Sequence, residues 1–284
     1  MNELDVLKQL ELKTERARLR LLDVIYNSKT GHTGGDLSSL NILATLYFNI
    51  LNVNPKNKEK KDRDRFILSK GHSIEALYSI LEACGFISSE QLNTYGSFNT
   101  LLTGHPSHKV PGIEISGGSL GHGLSIGVGM AIGGKLYKLK FRTFVLMGDG
   151  ELGEGSIYEA AMAASHYKLD HLVAIVDRNG LQISNSTEKV MGLEPLKDRW
   201  ESLGWDVKES NGDNTSELLK TLKSIDYENH KPTLIIAKTT KGYGVSFMEN
   251  QLSWHHGVPT EAQYIQAKKE ISEKIQKLEN TITQ

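Results

Sequence analysis

Residues 142–155, RTFVLMGDGELGEG, and residues 172–180, LVAIVDRNG, decide how this chain folds. Each begins with a short, continuous apolar run, RTFVLM at 142–147 and LVAIVD at 172–177, that stops at turn-forming residues. Runs of this length bounded by such residues belong to strands covered on both faces. Between them Ile157, Ala160, Ala161 and Ala164 trace a helical stripe, with Lys168 placed to snorkel at its end. Strand, helix and strand in this order make a βαβ unit.

The same alternation continues on both sides. Residues 4–28 predict an amphipathic helix and 37–51 a second, more buried one. A short strand is expected at 65–69 and a helix at 74–84. Residues 120–139 predict a Gly-rich buried helix. After residue 180, helices are expected at 196–203 and 215–225, with strands at 205–209 and 233–238. The expected fold class is α/β: a doubly wound, mainly parallel sheet with helices on both faces. No internal repeat or boundary interrupts the chain, so residues 1–284 are taken as one domain.

Composition narrows the function. With 33 Lys+Arg against 34 Asp+Glu the net charge is −1, which lacks the basic footprint of a nucleic-acid binder. The one basic run, residues 56–65, is broken by Glu59, Asp62 and Asp64 and is expected to be a solvated surface turn. A single cysteine, Cys84, allows no internal disulfide and no Cys-based zinc site, and fits a reducing compartment. A charged N-terminus and the lack of a long apolar stretch predict a cytoplasmic protein.

In parallel sheets, ligands bind beyond the carboxyl ends of the strands. The 142–147 strand runs into Gly148-Asp149-Gly150, and the 172–177 strand runs into Arg178-Asn179. Two glycines allow a sharp turn with amide N–H groups facing a phosphate. Asp149 is a hard oxygen ligand, and Asn179 at a neighbouring strand tip would supply a second oxygen. Mg²⁺ or Ca²⁺ takes one carboxylate, one amide oxygen, a backbone carbonyl and two diphosphate oxygens readily. A dinucleotide site would need G-x-G-x-x-G opening a βα unit, and Gly127-x-Gly129 follows a helix start instead. Gly123-Leu124-Ser125-Ile126-Gly127 spells a hydrolase elbow but lies inside the Gly-rich helix.

Ten of the 27 glycines lie between Gly104 and Gly134, a density that suggests backbone close to a ligand. Histidines recur in glycine turns: Gly31-His32, Gly71-His72, Gly104-His105, Gly121-His122-Gly123 and His255-His256-Gly257. Five such turns in a chain with a phosphate loop suggest a shared cleft that hydrogen-bonds a polyhydroxylated substrate and moves protons near neutral pH. His105-x-x-His108 and His255-His256 lack a local carboxylate at zincin spacing.

Gly148-Asp149-Gly150 with Asn179 thirty residues later resembles the diphosphate-metal motif of thiamine diphosphate enzymes. Arg178 departs from that motif, which usually ends in two asparagines. The further segments TGHTGGDLS, LSKGHS, TGHP, ISGGSLGHGLSIGVGMA, GDGELGEGSIYEAAMAASHYKLDHLVAIVDRNGLQIS and KTTKGYGVSFMENQLSWHHG follow one another in transketolase order. Over nearly its whole length the chain is similar to the diphosphate-binding half of transketolase.

The resemblance implies thiamine diphosphate with Mg²⁺, with Ca²⁺ or Mn²⁺ as substitutes, held by Asp149, Asn179 and the Leu181 carbonyl. Gly150 and His72 would contact the diphosphate, and Gly118 and Leu120 would lie by the aminopyrimidine. His32, His105 and a histidine of the Trp254 motif would face donor-sugar hydroxyls or shuttle protons. Spacing from Lys241 favours His255 over His256. Lys70 fills a basic site position, and Glu154 and Glu159 would join a carboxylate network reaching the partner's active site. A full-length transketolase continues well beyond this length. The expected reading is therefore the small subunit of a two-chain transketolase, inactive without a C-terminal subunit that carries the pyrimidine-binding domain. An α2β2 heterotetramer is implied, and pentose phosphate exchange is the default reaction. An α subunit of a 2-oxo acid dehydrogenase shares the diphosphate motif but has no need of the histidine row. A deoxyxylulose-phosphate synthase would carry all its domains in one chain, and a non-catalytic cofactor-binding protein would not need the retained acids and histidines. The amphipathic end, with Ile271, Ile275, Leu278 and Ile282 on one face, suits either core packing or a partner contact.

Overall fold

Among the described residues, five strands form one sheet: β1 (Arg65–Leu68), β2 (Thr143–Gly148), β3 (Leu172–Arg178), β4 (Asp206–Asn211) and β5 (Thr233–Lys238). Their order is β1-β2-β3-β5-β4 and every pairing is parallel. This is a computed structural model, and it describes residues 3–283; Met1, Asn2 and Gln284, the ends of the expected single domain, lie outside them. The helices are α1 (Glu3–Ser28), α2 (Thr33–Thr45), α3 (Ile74–Ala83), α4 (Ser89–Leu92), α5 (Gly123–Leu136), α6 (Gly155–His166), α7 (Thr187–Val190), α8 (Leu196–Ser202), α9 (Thr215–Lys223) and α10 (Glu261–Thr283).

Side chains alternate across a strand, so β2 serves two cores. Phe144 and Leu146 pack with α1, α2, α3, α9 and α10 on one face. Val145 and Met147 pack with α5, α6 and α8 on the other. Every residue of β2 is buried, and six of the seven in β3. That double coverage explains why these two strands read as unbroken apolar runs.

Several expectations are corrected locally. The Gly-rich helix spans Gly123–Leu136 rather than 120–139, because Gly121 and Lys138 adopt left-handed backbone at φ 82° and 55°. Only one of its faces is buried. A β-carbon on Gly127 would lie 2.6 Å from Val145 Cγ2, so glycine there lets the helix approach the sheet. On the outer side a β-carbon on Gly129 or Gly133 would meet no other part of the structure within 4 Å, and Leu136 and Tyr137 are 76% and 80% exposed. The α2 stretch ends at Thr45 and passes into one π-turn, Leu46–Ile50. Lys168 stands beyond the end of α6 in left-handed conformation and is exposed, so it does not snorkel from the helix.

The 56–65 run is not wholly solvated. Asp64 is buried, accepting from Arg142 at 2.5 Å and from the Asn52 amide at 2.8 Å, which ties the start of β1 to β2. The terminal helix packs within the chain: Ala267 and Ile271 enter the core, and Tyr264 stacks on Tyr26 of α1 with centroids 4.0 Å apart. Burial pushes the Cys84 thiol up to about 11, leaving it protonated and unreactive at neutral pH. Among the described residues no helix is long and apolar enough to cross a membrane.

Candidate functional site

The parallel order brings the carboxyl ends of β1, β2, β3 and β5 to one edge, where the motif turns begin. A buried ion pair lies beneath them. Lys70, just past β1, contacts the Asp177 carboxylate near the end of β3, and both side chains are almost wholly buried. Lys70 Nζ also donates to Ser39 Oγ at 2.7 Å and to the Gly35 carbonyl at 3.2 Å. Asp177 accepts from Ser38 Oγ at 2.6 Å, from Ser39 Oγ at 3.2 Å and from Thr239 Oγ1. Burial works against its charge, but Lys70 and these hydroxyls hold the carboxyl below its usual value. The structure thus places Lys70 in a buried pair that fastens α2 to the sheet.

The turn after β2 points Asp149 at the turn after β3. Asp149 Oδ1 accepts from the Gly150 amide at 2.8 Å, and Oδ2 from the Gly180 amide at 2.6 Å and from Arg178 Nη1 at 3.1 Å. Burial, and Asp177 nearby, push the Asp149 carboxyl up, against the Gly180 amide and Arg178, which favour its charged form. Asn179 Oδ1 accepts from the Leu181 amide at 3.1 Å and keeps a second lone pair. A carboxylate, an amide oxygen and the Leu181 carbonyl make a hard-oxygen donor set, and a guanidinium already lies against the carboxylate. That set fits Mg²⁺ or Ca²⁺ completed by diphosphate oxygens. Among the described residues no three His, Cys, Asp or Glu side chains are arranged so that they could hold a metal ion by themselves.

Four of the five glycine-turn histidine motifs meet in one cluster. His32, the N-cap of α2, makes no capping bond. Its ring centroid lies 5.2 Å from His72, 6.5 Å from His105, 5.9 Å from His255 and 4.6 Å from His256. His72 and His255 are 5.7 Å apart. Two contacts seat the turns: Thr33 Oγ1 donates to the Gly257 carbonyl, and a β-carbon on Gly71 or Gly118 would touch His105 at 3.4 Å. The fifth motif departs. His122 is exposed and contacts the Leu120 carbonyl, and no ring contact joins it to the cluster. Both histidines of the Trp254 motif face His32, so the choice between His255 and His256 is not exclusive.

The imidazoles of His32, His72 and His255 are neutral at neutral pH. Burial, then His256 and His105, push His32 down to about 4, and burial, then Lys241, does the same to His255. Burial and Lys70 hold His72 well below its usual value. Burial, then Lys70, brings Lys241 down to about 8. A neutral imidazole offers one donor and one acceptor, which suits sugar hydroxyls. His32 Nδ1 and His255 Nδ1 are buried without a hydrogen-bond partner, leaving polar capacity for a ligand to satisfy.

Sequence reasoning missed the buried acids that shape this edge. Glu151 accepts from the Gly121 amide at 2.8 Å, the Gly148 amide at 3.0 Å and Ser69 Oγ, so one carboxylate joins three turns. Asp36 and Glu75 form a buried pair under the His32 and His72 turns: Asp36 accepts from the Ala76 amide at 2.9 Å, and Tyr95 donates to Glu75. Burial, then the neighbouring Glu75, pushes Asp36 well up. Its folded-state value lies above its unfolded one. Stability therefore falls as pH rises from about 4, the unfolded value, through the folded one. Asp36→Asn keeps the shape and cannot ionise. Its melting temperature should fall by about a few degrees less than that of wild type between roughly pH 5 and pH 8. Parallel pH profiles for the two proteins would contradict the shared-proton pair.

The remaining predicted positions lie at the rim. Glu154 holds the N-cap position of α6 without a side-chain capping bond and Glu159 follows just over one turn later, both exposed, and Leu120 is partly exposed. Gly150 faces Gln182, whose Nε2 reaches the Gly150 carbonyl at 3.4 Å.

The family described as "Transketolase, thiamine diphosphate binding domain" matches residues 10–275. The chain is 58% identical over 270 residues to a Phocaeicola vulgatus protein named as one subunit of an apulose-4-phosphate transketolase, covering 95% of this chain and 96% of that one. It is 38% identical to a 6-deoxy-6-sulfo-D-fructose transketolase subunit of a Clostridium species, covering 89% and 94%. Among solved structures, a Pichia stipitis transketolase superposes with TM-score 0.84 at 27% identity, over 98% of this chain and 45% of that one. A Campylobacter jejuni transketolase gives 0.81 at 28% identity, over 99% and 48%. The chain thus spans under half the length of these solved relatives and nearly all of the two subunits.

Proposed function

Since the chain belongs to the transketolase family through its thiamine diphosphate-binding domain, we propose that it is the small subunit of a two-chain, cytoplasmic transketolase. It acts with a C-terminal subunit carrying the pyrimidine-binding domain, as an α2β2 heterotetramer. The reaction moves a two-carbon ketol unit from a ketose phosphate to an aldose phosphate. The relative at 58% identity is named for apulose 4-phosphate, which makes that branched sugar the first donor to test. The observation that carries the reading is the cluster of histidines around His32, with His72 on the turn after β1 and with Asp149 and Asn179 on the turns after the neighbouring β2 and β3.

Thiamine diphosphate, when bound, supplies the carbanion chemistry. The chain supplies position and charge. Asp149, Asn179 and the Leu181 carbonyl would hold Mg²⁺, and Gly150 and His72 would contact the diphosphate, with the Lys70 and Lys241 charges nearby. Gly118 and Leu120 would lie by the aminopyrimidine. His32, His105 and His255 would bind the sugar hydroxyls and pass protons between them, and the neutral imidazoles of His32 and His255 do so without a prior loss of charge. Glu154 and Glu159, both exposed, would face the partner; Met162 of α6 and, towards the far end of the helix pair, Leu136 and Tyr137 are exposed apolar side chains of the same layer. Relatives of matching length are named as subunits, which supports a two-chain enzyme.

The reading is tested by purifying the tagged chain from its own cells and identifying what accompanies it. A stoichiometric chain with a pyrimidine-domain sequence is expected. A homodimer of this chain alone that completes ketol transfer would overturn the two-chain assignment.

A further inference from the structure

Arg178 stands where the related motif carries an asparagine, and its contacts give it a task. The guanidinium reaches four groups. Nη1 lies 3.1 Å from Asp149 Oδ2 and donates to Thr187 Oγ1. Nη2 lies 2.7 Å from Glu188 Oε1 and 3.1 Å from Glu194 Oε1. These partners fasten the segment in turn. Glu188 accepts from the Leu193 amide at 3.2 Å, and Glu194 from the Leu196 amide at 2.9 Å, at the start of α8. The Thr187 amide donates to the Gly180 carbonyl at 2.9 Å, and Leu181 bridges to Ser186. One side chain therefore connects the Asp149 carboxylate with the whole return of the chain from Leu181 to α8.

We propose that Arg178 is a positioning residue that fixes Asp149 and the Leu181-bearing segment in the arrangement a divalent cation requires. The inference rests on the cation–diphosphate reading above. A guanidinium beside a metal-binding carboxylate would ordinarily compete with the cation. Here Glu188 and Glu194 supply two negative charges on its far side, so its charge is balanced without Asp149. Asp149 also keeps unused acceptor capacity, because an ionised carboxylate has about four lone-pair sites and three donors are in place. Groups that orient a ligand in this way typically contribute about 10–100-fold to metal affinity.

The test titrates Mn²⁺ into the full chain with thiamine diphosphate present and follows the free-Mn²⁺ electron paramagnetic resonance signal. Wild type is compared with Arg178→Met and Arg178→Lys. Arg178→Met should need at least about tenfold more Mn²⁺ for half-saturation, and Arg178→Lys, which keeps the charge but not the fork, should fall between. Limited proteolysis gives a second readout: Mn²⁺ with thiamine diphosphate should protect residues 182–194 in wild type and fail to do so in Arg178→Met. Wild-type affinity in both variants, or tighter binding in Arg178→Met, overturns the positioning role while leaving the functional reading intact. Absence of Mn²⁺ binding by the wild-type chain, both alone and reconstituted with its co-purifying partner, overturns both.

Discussion

Asp149→Ala should abolish cation-dependent binding of thiamine diphosphate. The carboxylate is the one charged oxygen donor in the proposed set, and the Asn179 amide and Leu181 carbonyl do not replace its charge. Loss of cation affinity should be about 100-fold or more, since even groups that only orient a ligand contribute about 10–100-fold. Arg178 and the Gly180 amide lose their acceptor in the same variant. Asp149→Asn, which keeps an oxygen in place, separates the two effects: it should still bind the cation far more weakly than wild type while melting close to it. Calorimetric titration of thiamine diphosphate with and without Mg²⁺ measures both variants. Unchanged affinity in Asp149→Ala would remove the metal assignment.

The second large effect is on stability. Lys70→Met leaves Asp177 buried and charged with only hydroxyl and amide donors. Breaking a buried pair from one side costs about 3–5 kcal/mol, which lowers the melting temperature by roughly 10 °C in a chain of this size. Pairing the change with Asp177→Asn should recover part of the loss, because no uncompensated charge remains. Denaturant unfolding of the single and double variants measures it. A cost below about 1 kcal/mol for Lys70→Met would show that the pair behaves as a surface ion pair does.

The strands and most helices were legible because their signal is local. RTFVLM and LVAIVD each carry their own evidence of burial on both faces, and β2 and β3 run where those letters run. Helix ends were less legible. The Gly-rich helix is shorter than its apolar composition suggests because Gly121 and Lys138 leave helical backbone, and only the former is a residue type that announces it. Its exposed face was hidden for a different reason: glycines at 127, 129 and 133 look alike in sequence, yet the first meets Val145 and the others meet nothing.

At the site, motif residues were legible and their supports were not. Asp149, Asn179 and four histidine turns stand out by their glycine neighbours; the fold gathers the histidines around His32 and sets Asp149 against the turn that carries Asn179. Asp177, Asp36 and Glu75 are acids within ordinary apolar or helical stretches, and the side chains or amides they bind are mostly distant in sequence; Glu151 lies in the glycine motif, but its partners Ser69 and Gly121 come from other turns. Lys70 and Asp177 illustrate the difficulty, being separated by 107 positions. His122 shows the reverse error: its glycine turn matches the others, but its ring is exposed and lies against the Leu120 carbonyl of its own turn.

The most direct test is ketol transfer by this chain, assayed alone and after reconstitution with its co-purifying pyrimidine-domain partner. The assay supplies thiamine diphosphate, Mg²⁺, apulose 4-phosphate as donor and an aldose phosphate as acceptor. A two-chain transketolase predicts no transfer by the chain alone and transfer on reconstitution, lost again in Asp149→Ala. Robust transfer by the chain alone, or none by the reconstituted pair with any ketose phosphate, would contradict it.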